Sequence, residues 1–166
     1  METYGSIEFH ASCSHFFKEG IRHLVASGYT SNKQKINNYL VVELHLSTLK
    51  DLIIESDLGL FSKTDYTQIV IISSEKLMPL ANYYVVRNNY RITAIRSTSL
   101  SEIQDFFTGN KVEMSGDKLT ESEFRAFKLS LSGTRNKDGI NPKTFCSQRY
   151  SAIKKLGKDR YSLLYT

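Results

Sequence analysis

The first two-thirds of the chain alternate between compact apolar runs and stretches that are typical of helices. The compact runs are rich in β-branched residues and end at polar positions, a pattern that predicts strands. Strands separated by helices imply a parallel sheet covered on both faces, so the predicted fold class is α/β. The predicted strands are SIEF, NNYLVVEL, TQIVIISS and YRITAIR, and the predicted helices are HFFKEGIRHLVASG, LSTLKDLIIESDLGLF, LMPLANYYVV and SLSEIQDFF.

Three local signals refine the predicted helices. Gly28 fits a C-terminal stop for the first of them. Pro79 interrupts the third helix unless it lies in the first turn, where a missing backbone N–H costs nothing. Ser99, with Glu102 three residues later, has the pattern of a capping box at the start of the fourth helix.

The alternation breaks around residues 108–118, where glycines and polar residues without periodicity indicate a linker. Beyond it, LTESEFRAFKLSLSG predicts a helix with Thr120 as N-cap, Glu123 as its return partner and Gly133 at its end. KTFCSQRYSAIKKLG predicts another helix, and DRYSLLYT a short last one. We predict an α/β domain at 1–110, a linker at 111–117, and an all-helical domain at 118–166 that is too small for much core of its own.

The charge of the chain is concentrated in its last third. Residues 117–166 carry 11 Lys and Arg against 5 Asp and Glu, a net charge of +6. Residues 1–116 carry 11 against 12, a net charge of −1. A basic end beside a neutral body predicts a module that binds a polyanion, and the alternative is a basic face that serves only solubility.

Composition and motifs argue against several classes of protein. With two cysteines, Cys13 and Cys146, the chain has no disulfide framework, which predicts a cytoplasmic location. No apolar run approaches the ~20 residues of a membrane span, and no secretory signal is visible. His10 and His15 flank Cys13, but a mixed His/Cys metal site needs three or four ligands at suitable spacing. We therefore expect no metal, no cofactor and no membrane partner.

The helix predicted near residues 143–156 has two different faces. Phe145, Ala152 and Leu156 share one face with Ile153 beside them, and this is the predicted inward stripe. The opposite face has no acidic residue, and Lys and Arg neutralise phosphates while Ser and Gln reach base edges. This pattern is typical of a DNA-binding helix, although solvated lysines on an exposed helix are the alternative. The predicted DNA-binding residues are Lys143, Thr144, Ser147, Gln148, Arg149, Tyr150 and Lys154.

The two long C-terminal helices together resemble the DNA-binding domain of the LuxR/NarL/FixJ class of bacterial regulators. That class has L-T-x-x-E near its first helix, a Gly at the end of that helix, and K-T through to K-L-G in its third. The run K-T-x-x-S-Q-x-x-S-A-x-x-K-L-G is closest to the Rcs-type regulators. The matching residues are Leu119, Thr120, Glu123, Gly133, Lys143, Thr144, Lys155, Leu156 and Gly157.

The resemblance departs from the family between Gly133 and Lys143. Family members have additional residues there, which form much of the second helix of a helix-turn-helix. In this chain, NKDGINPKT leaves room for a turn, so the second helix is expected to be shortened. That helix normally crosses the DNA backbone and sets the angle of the reading helix. Pro142 can still fix the start of the reading helix.

The N-terminal part resembles, more weakly, the receiver domain of response regulators. By register, the acidic pair that binds Mg²⁺ in receivers falls on Ser12 and Cys13, and neither is a carboxylate. The phosphoacceptor position falls near Glu43, the switch Ser/Thr at Ser73 or Ser74, and the invariant Lys at Arg96. The resemblance therefore implies a degenerate, receiver-like domain without phosphorylation chemistry. Glu43 either mimics a phosphorylated Asp near Arg96 or is a drifted residue at a strand end.

Two functions remain open after the sequence is read. The first is a phosphorylation-independent bacterial transcriptional regulator that binds double-stranded DNA through the 143–156 helix, as a homodimer or as a heterodimer with another regulator. The second is an auxiliary protein or antagonist that binds another transcriptional regulator without contacting DNA. We expect no enzymatic activity, because the chain has no Gly-rich phosphate loop, no nucleophile with a neighbouring base and no carboxylate pair in a motif.

Overall fold

Four parallel strands form one sheet in which each strand pairs with its neighbour in the chain. The computed structural model describes residues 6–28, 38–55, 66, 68–88, 91–133 and 139–157. The predicted α/β class, with a parallel sheet flanked by helices, is confirmed. The elements are β1 (Ile7–Phe9), α1 (His15–Gly28), β2 (Tyr39–Leu44), α2 (Leu46–Lys50), β3 (Gln68–Ser73), α3 (Met78–Arg87), β4 (Ile92–Arg96), α4 (Leu100–Phe107), α5 (Glu121–Leu131) and α6 (Pro142–Lys155).

Strands β2, β3 and β4 are buried on both faces because helices cover each side of the sheet. One face carries Val41, Val70 and Ile72, which pack in a cluster with residues of α1 and α4. The other face carries Leu40 and Ile69, which pack in a second cluster with α2 and α3. Alternate residues of a strand point to opposite faces, so β2, β3 and β4 each supply both clusters, whereas β1 packs only Ile7 and Phe9 against the first.

Helices α1 and α2 pack on opposite faces of the sheet. The steps from β1 to β2 and from β2 to β3 go in the same direction across the sheet, yet α1 and α2 lie on opposite faces. Receiver-type sheets have the strand order 2-1-3-4-5. The strands of the described residues, in the order β1-β2-β3-β4, correspond to that order without its second strand.

The two C-terminal helices share the core of the sheet. Phe124 and Phe127 of α5 and Ile153 of α6 belong to the same buried cluster as Leu40 and Ile69. The ring of Phe124 stacks on Tyr83 of α3, with 4.2 Å between the ring centroids. A helical segment expected to be too small for its own core thus obtains apolar contacts from the α/β part of the chain.

The segment between α4 and α5 lacks regular structure but is hydrogen-bonded to α3. Asn82, which is fully buried, donates hydrogen bonds of 2.9 Å from its side-chain amide to the carbonyl oxygens of Ser115 and Asp117. The backbone N–H of Leu119 donates to the carbonyl oxygen of Pro79, with 3.0 Å between the atoms. This segment therefore holds α5 against the start of α3.

Most local signals in the sequence match the structure. Gly28 is the last residue of α1, and Pro79 lies in the first turn of α3, where it is tolerated. The capping box of Thr120 and Glu123 is present, and Gly133 has φ +64° just beyond α5. The positive φ is a conformation that glycine adopts without strain.

Two local predictions need correction. Ser99 is the N-cap of α4, but its side chain makes no capping bond, because its backbone (φ −91°, ψ 74°) is not in the extended conformation of an ordinary N-cap. The helix predicted over residues 46–61 is α-helical only to Lys50 and continues as a π-helical turn at Asp51–Glu55, and its predicted residues 56–61 lie outside the described residues. The predicted last helix, DRYSLLYT, lies outside the described residues. Over the part of the chain that the structure describes, no helix has the length and apolar character to cross a membrane.

Candidate nucleic-acid interface

The start of α6 is fixed by Asn141 and Pro142. The side-chain oxygen of Asn141 accepts a hydrogen bond of 2.9 Å from the backbone N–H of Lys143. This bond satisfies one of the N–H groups that have no partner inside a helix, and Pro142 follows in the first turn. The sequence prediction that Pro142 marks the start of the helix is confirmed. Residues 134–138 lie outside the described residues, so the shortened second helix stays a prediction.

Burial along α6 is concentrated in its C-terminal half. Ala152, Ile153 and Leu156 are at most 3% exposed and belong to the core, so this part of the predicted inward stripe is confirmed. Phe145 is only half-buried, and the guanidinium carbon of Arg149 lies 5.9 Å from the centre of its ring. The core therefore holds the end of α6, and Phe145 is covered in part by a cation–π contact.

The opposite face of α6 is open to solvent. Lys143, Ser147 and Lys154 are exposed, and Tyr150 is 63% exposed although it is a large aromatic residue. These four residues follow the i, i+4, i+7, i+11 spacing of one helix face, which we call the outward row. Of the other predicted DNA-binding residues, Thr144 is exposed, whereas Gln148 and Arg149 are half-buried. Arg149 also contacts Phe145, so it is less available than the outward row.

The outward row is positively charged without internal neutralisation. The sequence of α6, PKTFCSQRYSAIKK, contains no acidic residue. Among the described residues, no ion pair engages the side chains of Lys143 or Lys154, and hydroxyl donors lie between them. Such a surface can neutralise phosphates and donate hydrogen bonds to base edges.

Glu123 of α5 is the central residue of the hydrogen-bonded contact that holds α6 on α5. One of its carboxylate oxygens accepts hydrogen bonds of 2.8 Å from the Lys155 ammonium and from the backbone N–H of Thr120. The other oxygen accepts a hydrogen bond from the Ser151 hydroxyl. The Lys155 ammonium also donates to the carbonyl oxygen of Lys118, at 3.1 Å. One carboxylate therefore closes the capping box of α5 and ties α5 to the last turn of α6.

The pKa of Glu123 follows from this environment. Burial of the side chain raises the pKa, but the hydrogen bonds from Lys155, Ser151 and Thr120 outweigh burial and leave the pKa below its ordinary value. The carboxylate is only 7% exposed, so the charged form depends on these donors. Loss of the donors would leave a buried charge without compensation.

The residues that carry the LuxR-type resemblance differ in what they do. Glu123 and Lys155 pair, Leu156 is fully buried, and Gly157 has φ +63° at the end of α6. These motif positions serve the packing of α6 on α5. Lys143 and Thr144 are exposed at the start of α6 and make up the part of the motif that is available to a ligand.

The receiver-type positions at the carboxyl edge of the sheet are engaged inside the molecule. Glu43 accepts a hydrogen bond of 2.8 Å from the backbone N–H of Ser14, just before α1 begins. The Arg96 guanidinium pairs with Glu75, with 3.3 Å between Nε and Oε1. Glu43 therefore contributes to the start of α1, and the cation that a phosphomimetic Glu43 would address has a different partner.

The positions that bind Mg²⁺ in receivers carry no carboxylate. The hydroxyl of Ser12 lies 2.7 Å from Nδ1 of His10. Cys13 is buried, and burial raises the pKa of its thiol despite the opposing hydrogen bond from the backbone N–H of Glu43, so the neutral thiol is favoured. Within the described ranges, no group of three or more His, Cys, Asp or Glu side chains lies close enough together to hold a metal ion.

The sequence patterns do not indicate two residues that hold α5 and α6 in place. Asn82 was read as part of an apolar helix, and a single amide among LMPLANYY was the available signal of a buried hydrogen-bonding role. Glu123 was assigned to its capping box alone. Its second bond, to Lys155, joins residues 32 apart in the chain and has no local signature.

Comparison with known proteins identifies the family of the α/β part. A family model described as the EcpR N-terminal domain matches residues 10–107, which is more than half of the chain and ends where α4 ends. The chain therefore belongs to this family, which is consistent with the N-terminal region of a transcriptional regulator. Neither the curated proteins nor the solved structures give a match.

Proposed function

We propose that this member of the EcpR N-terminal domain family is a phosphorylation-independent transcriptional regulator that binds double-stranded DNA through α6. The observation that carries the proposal is the outward row of α6, which is exposed and basic, on a helix whose opposite side is buried. The protein acts by binding, without catalysis or a cofactor. We further propose a homodimer or a heterodimer with another regulator, because two copies of so short a reading surface can address two half-sites.

The outward row has side chains suited to both parts of DNA recognition. Lys143 and Lys154 supply charges for phosphates near the two ends of the helix. Ser147 and Gln148 supply hydrogen-bonding groups for base edges between them. Tyr150 contributes an exposed hydroxyl and ring. Removal of a phosphate contact should weaken binding to all sequences, whereas removal of a base contact should relax sequence preference.

The contacts that hold α6 in place support a DNA-binding role for a shortened LuxR-type, Rcs-like domain. In a complete helix-turn-helix, the second helix helps to set the angle of the reading helix. In this chain, Glu123 and Lys155 tie α6 to α5, and Phe124 packs α5 on α3. We propose that these contacts replace the support that a longer second helix would give.

Independence from phosphorylation is supported by the carboxyl edge of the sheet. The phosphoacceptor position is occupied by Glu43, which caps the start of α1, and the positions of the Mg²⁺ ligands carry Ser12 and Cys13. A hard cation prefers carboxylate oxygens, which these two residues lack. We propose that the α/β part is a pseudo-receiver that carries α6 and offers a surface for assembly.

The proposal is tested by titration of the full chain onto duplex DNA at several salt concentrations. We expect log K to fall linearly with log salt, and the double variant Lys143→Ala/Lys154→Ala to reduce the slope by about 2, since each phosphate contact contributes about 0.9. The double variant Lys50→Ala/Lys111→Ala removes the same charge from exposed lysines outside α6 and should leave the slope unchanged. Absence of wild-type binding at low salt would contradict the proposal.

A second candidate function is contact with another regulator instead of DNA. Phe16, at the start of α1, is 87% exposed, and Leu100 at the start of α4 is 54% exposed. Both side chains offer apolar surface that a partner protein could cover. Under this alternative, Phe16→Ala abolishes co-purification of a partner regulator from native extracts, and the α6 double variant does not.

A further inference from the structure

We propose that the DNA-binding surface extends from α6 onto the α/β part of the chain through Lys76, which contacts a DNA phosphate. This inference rests on the proposed function and adds a residue outside the C-terminal helices. Lys76 lies in the 3-10 turn Glu75–Leu77, between β3 and α3, and its side chain is exposed.

The position of Lys76 relative to α6 comes from Gly157. Gly157 is exposed just beyond the end of α6, and its backbone N–H donates to the carbonyl oxygen of Lys154, the last residue of the outward row, at 3.0 Å. A Cβ atom built at Gly157 would lie 3.9 Å from Cγ of Lys76. The side chain of Lys76 therefore lies where the outward row ends, although the two residues are far apart in the chain.

Neighbouring charges leave Lys76 available for a ligand. The acidic residue beside it, Glu75, pairs with Arg96, and the carboxylate of Glu123 pairs with Lys155. Within the described residues, no ion pair or side-chain hydrogen bond engages the Lys76 ammonium. Among the described residues at this end of α6, neither Lys76 nor Lys154 has an ion-pair partner.

The turn that carries Lys76 is held in place by the core. The backbone N–H of Ser74 donates to the carbonyl oxygen of Leu44 at 3.1 Å, and the N–H of Leu77 donates to Ser74 at 3.0 Å. Leu77 is fully buried in the cluster that also holds Leu156 of α6. Because Lys76 and the end of α6 share one packed core, a contact from Lys76 would fix how α6 lies along the DNA.

The test compares salt dependence in single-lysine variants of the full chain on one mixed-sequence duplex. Lys76→Ala should lower the slope of log K against log salt by about 0.9, the contribution of one phosphate contact. Lys76→Arg should retain the slope, because it keeps the charge. The matched control is Lys111→Ala, an exposed lysine in the segment that packs near the opposite ends of the strands. Thermal midpoints of all variants should match the wild type, since these are surface substitutions.

Each outcome supports or overturns the inference. Loss of slope in Lys76→Ala alone supports it. An unchanged slope in Lys76→Ala, with a reduced slope in Lys143→Ala/Lys154→Ala, overturns the inference and leaves DNA binding by α6 intact. An equal loss in Lys111→Ala also overturns it, since the effect would then be one of net charge. No binding by the wild type would overturn the proposed function together with this inference.

Discussion

The carboxyl edge of the sheet and the outward row of α6 are both marked by family resemblance, but their side chains are used differently. At the sheet edge, Glu43 accepts a hydrogen bond from the backbone N–H of Ser14 and Arg96 forms an ion pair with Glu75, so both charged groups have partners inside the molecule. On α6, Lys143 and Lys154 face solvent without an ion-pair partner among the described residues. The contacts of a residue, more than its place in a motif, indicate whether it can still bind a ligand.

The largest expected effect concerns the core that carries α6. Phe124→Ala should lower the free energy of unfolding by about 3–5 kcal/mol, because it removes a buried ring that stacks on Tyr83. The whole chain should still unfold in one transition, which chemical denaturation followed by circular dichroism would measure. The matched control, Phe16→Ala, removes a ring that is 87% exposed and should change stability by less than about 0.5 kcal/mol. Two separate transitions would show that α5 and α6 are not carried by the sheet.

The next effect concerns the carboxylate that joins α5 to α6. Glu123→Gln should destabilise the chain by about 2 kcal/mol, because an amide keeps the shape but loses charge-assisted bonds to Lys155 and Thr120. Glu113→Gln, at an exposed position, is the matched control and should have little effect. If Glu123→Gln and Glu113→Gln were equally stable, Glu123 would not contribute to holding α6 on α5.

The same variant has a pH dependence with a defined sign. Because the pKa of Glu123 is lower in the folded chain, its ionised form contributes stability above the pKa of an unfolded Glu, about 4.3. This contribution is lost as the pH falls through the folded pKa. The difference in unfolding free energy between wild type and Glu123→Gln should therefore be constant near neutral pH and should shrink below about pH 4.3. If the free-energy difference between the two chains stayed constant down to about pH 2, well below the ordinary Glu pKa of about 4.3, ionised Glu123 would not be the source of this stability.

A smaller effect is expected at the sheet edge. Glu43→Gln should cost at most about 1 kcal/mol of stability, since it removes one charge near the start of a helix. DNA affinity should stay within about twofold of the wild type, because that free-energy change is local to α1. A loss of DNA binding in Glu43→Gln that Glu43→Asp does not restore would instead support the phosphomimetic hypothesis, because the Asp side chain is shorter than that of Glu43 and resembles an unphosphorylated acceptor.

Thiol chemistry distinguishes the two regions with no expected change in stability. Cys146 is exposed on α6, whereas Cys13 is buried below the start of α1, where burial raises the pKa of its thiol. The thiolate is the reactive form, so a maleimide should label Cys146 rapidly and Cys13 only after unfolding. Mass spectrometry of the native chain should show a single adduct. Rapid labelling of Cys13 would mean that the edge of the sheet opens.

Sequence patterns predicted the local structure well, since its causes lie within a few residues. The apolar runs of β2 and β3, the first-turn Pro79 and the capping box at Thr120 are all local signals. The capping bond expected at Ser99 is absent because backbone torsions decide whether a side chain can reach the helix. Predicted roles in DNA binding stay predictions, although the exposure of the outward row matches them.

Contacts between residues that are distant in the chain could not be predicted from sequence patterns. The bond from Glu123 to Lys155, the amide of Asn82 on the segment before α5, and the approach of Lys76 to Gly157 join residues that are distant in the chain. No periodicity encodes such pairs. These contacts arise from the packing of α5 on α3, and that packing depends on the shape of the whole buried cluster.

The central claim, that the outward face of α6 binds DNA, is tested most directly by labelling Cys146 in the presence of duplex DNA. Cys146 lies on the exposed side of α6, beside Ser147 of the outward row. A double variant, Ser101→Cys with Cys146→Ser, carries its exposed thiol on α4 instead and is the control. We predict that saturating DNA slows labelling of Cys146 by about tenfold or more, because a helix in the major groove is closed to a bulky reagent, and leaves the thiol on α4 unaffected. Equal labelling of Cys146 with and without bound DNA would contradict the claim.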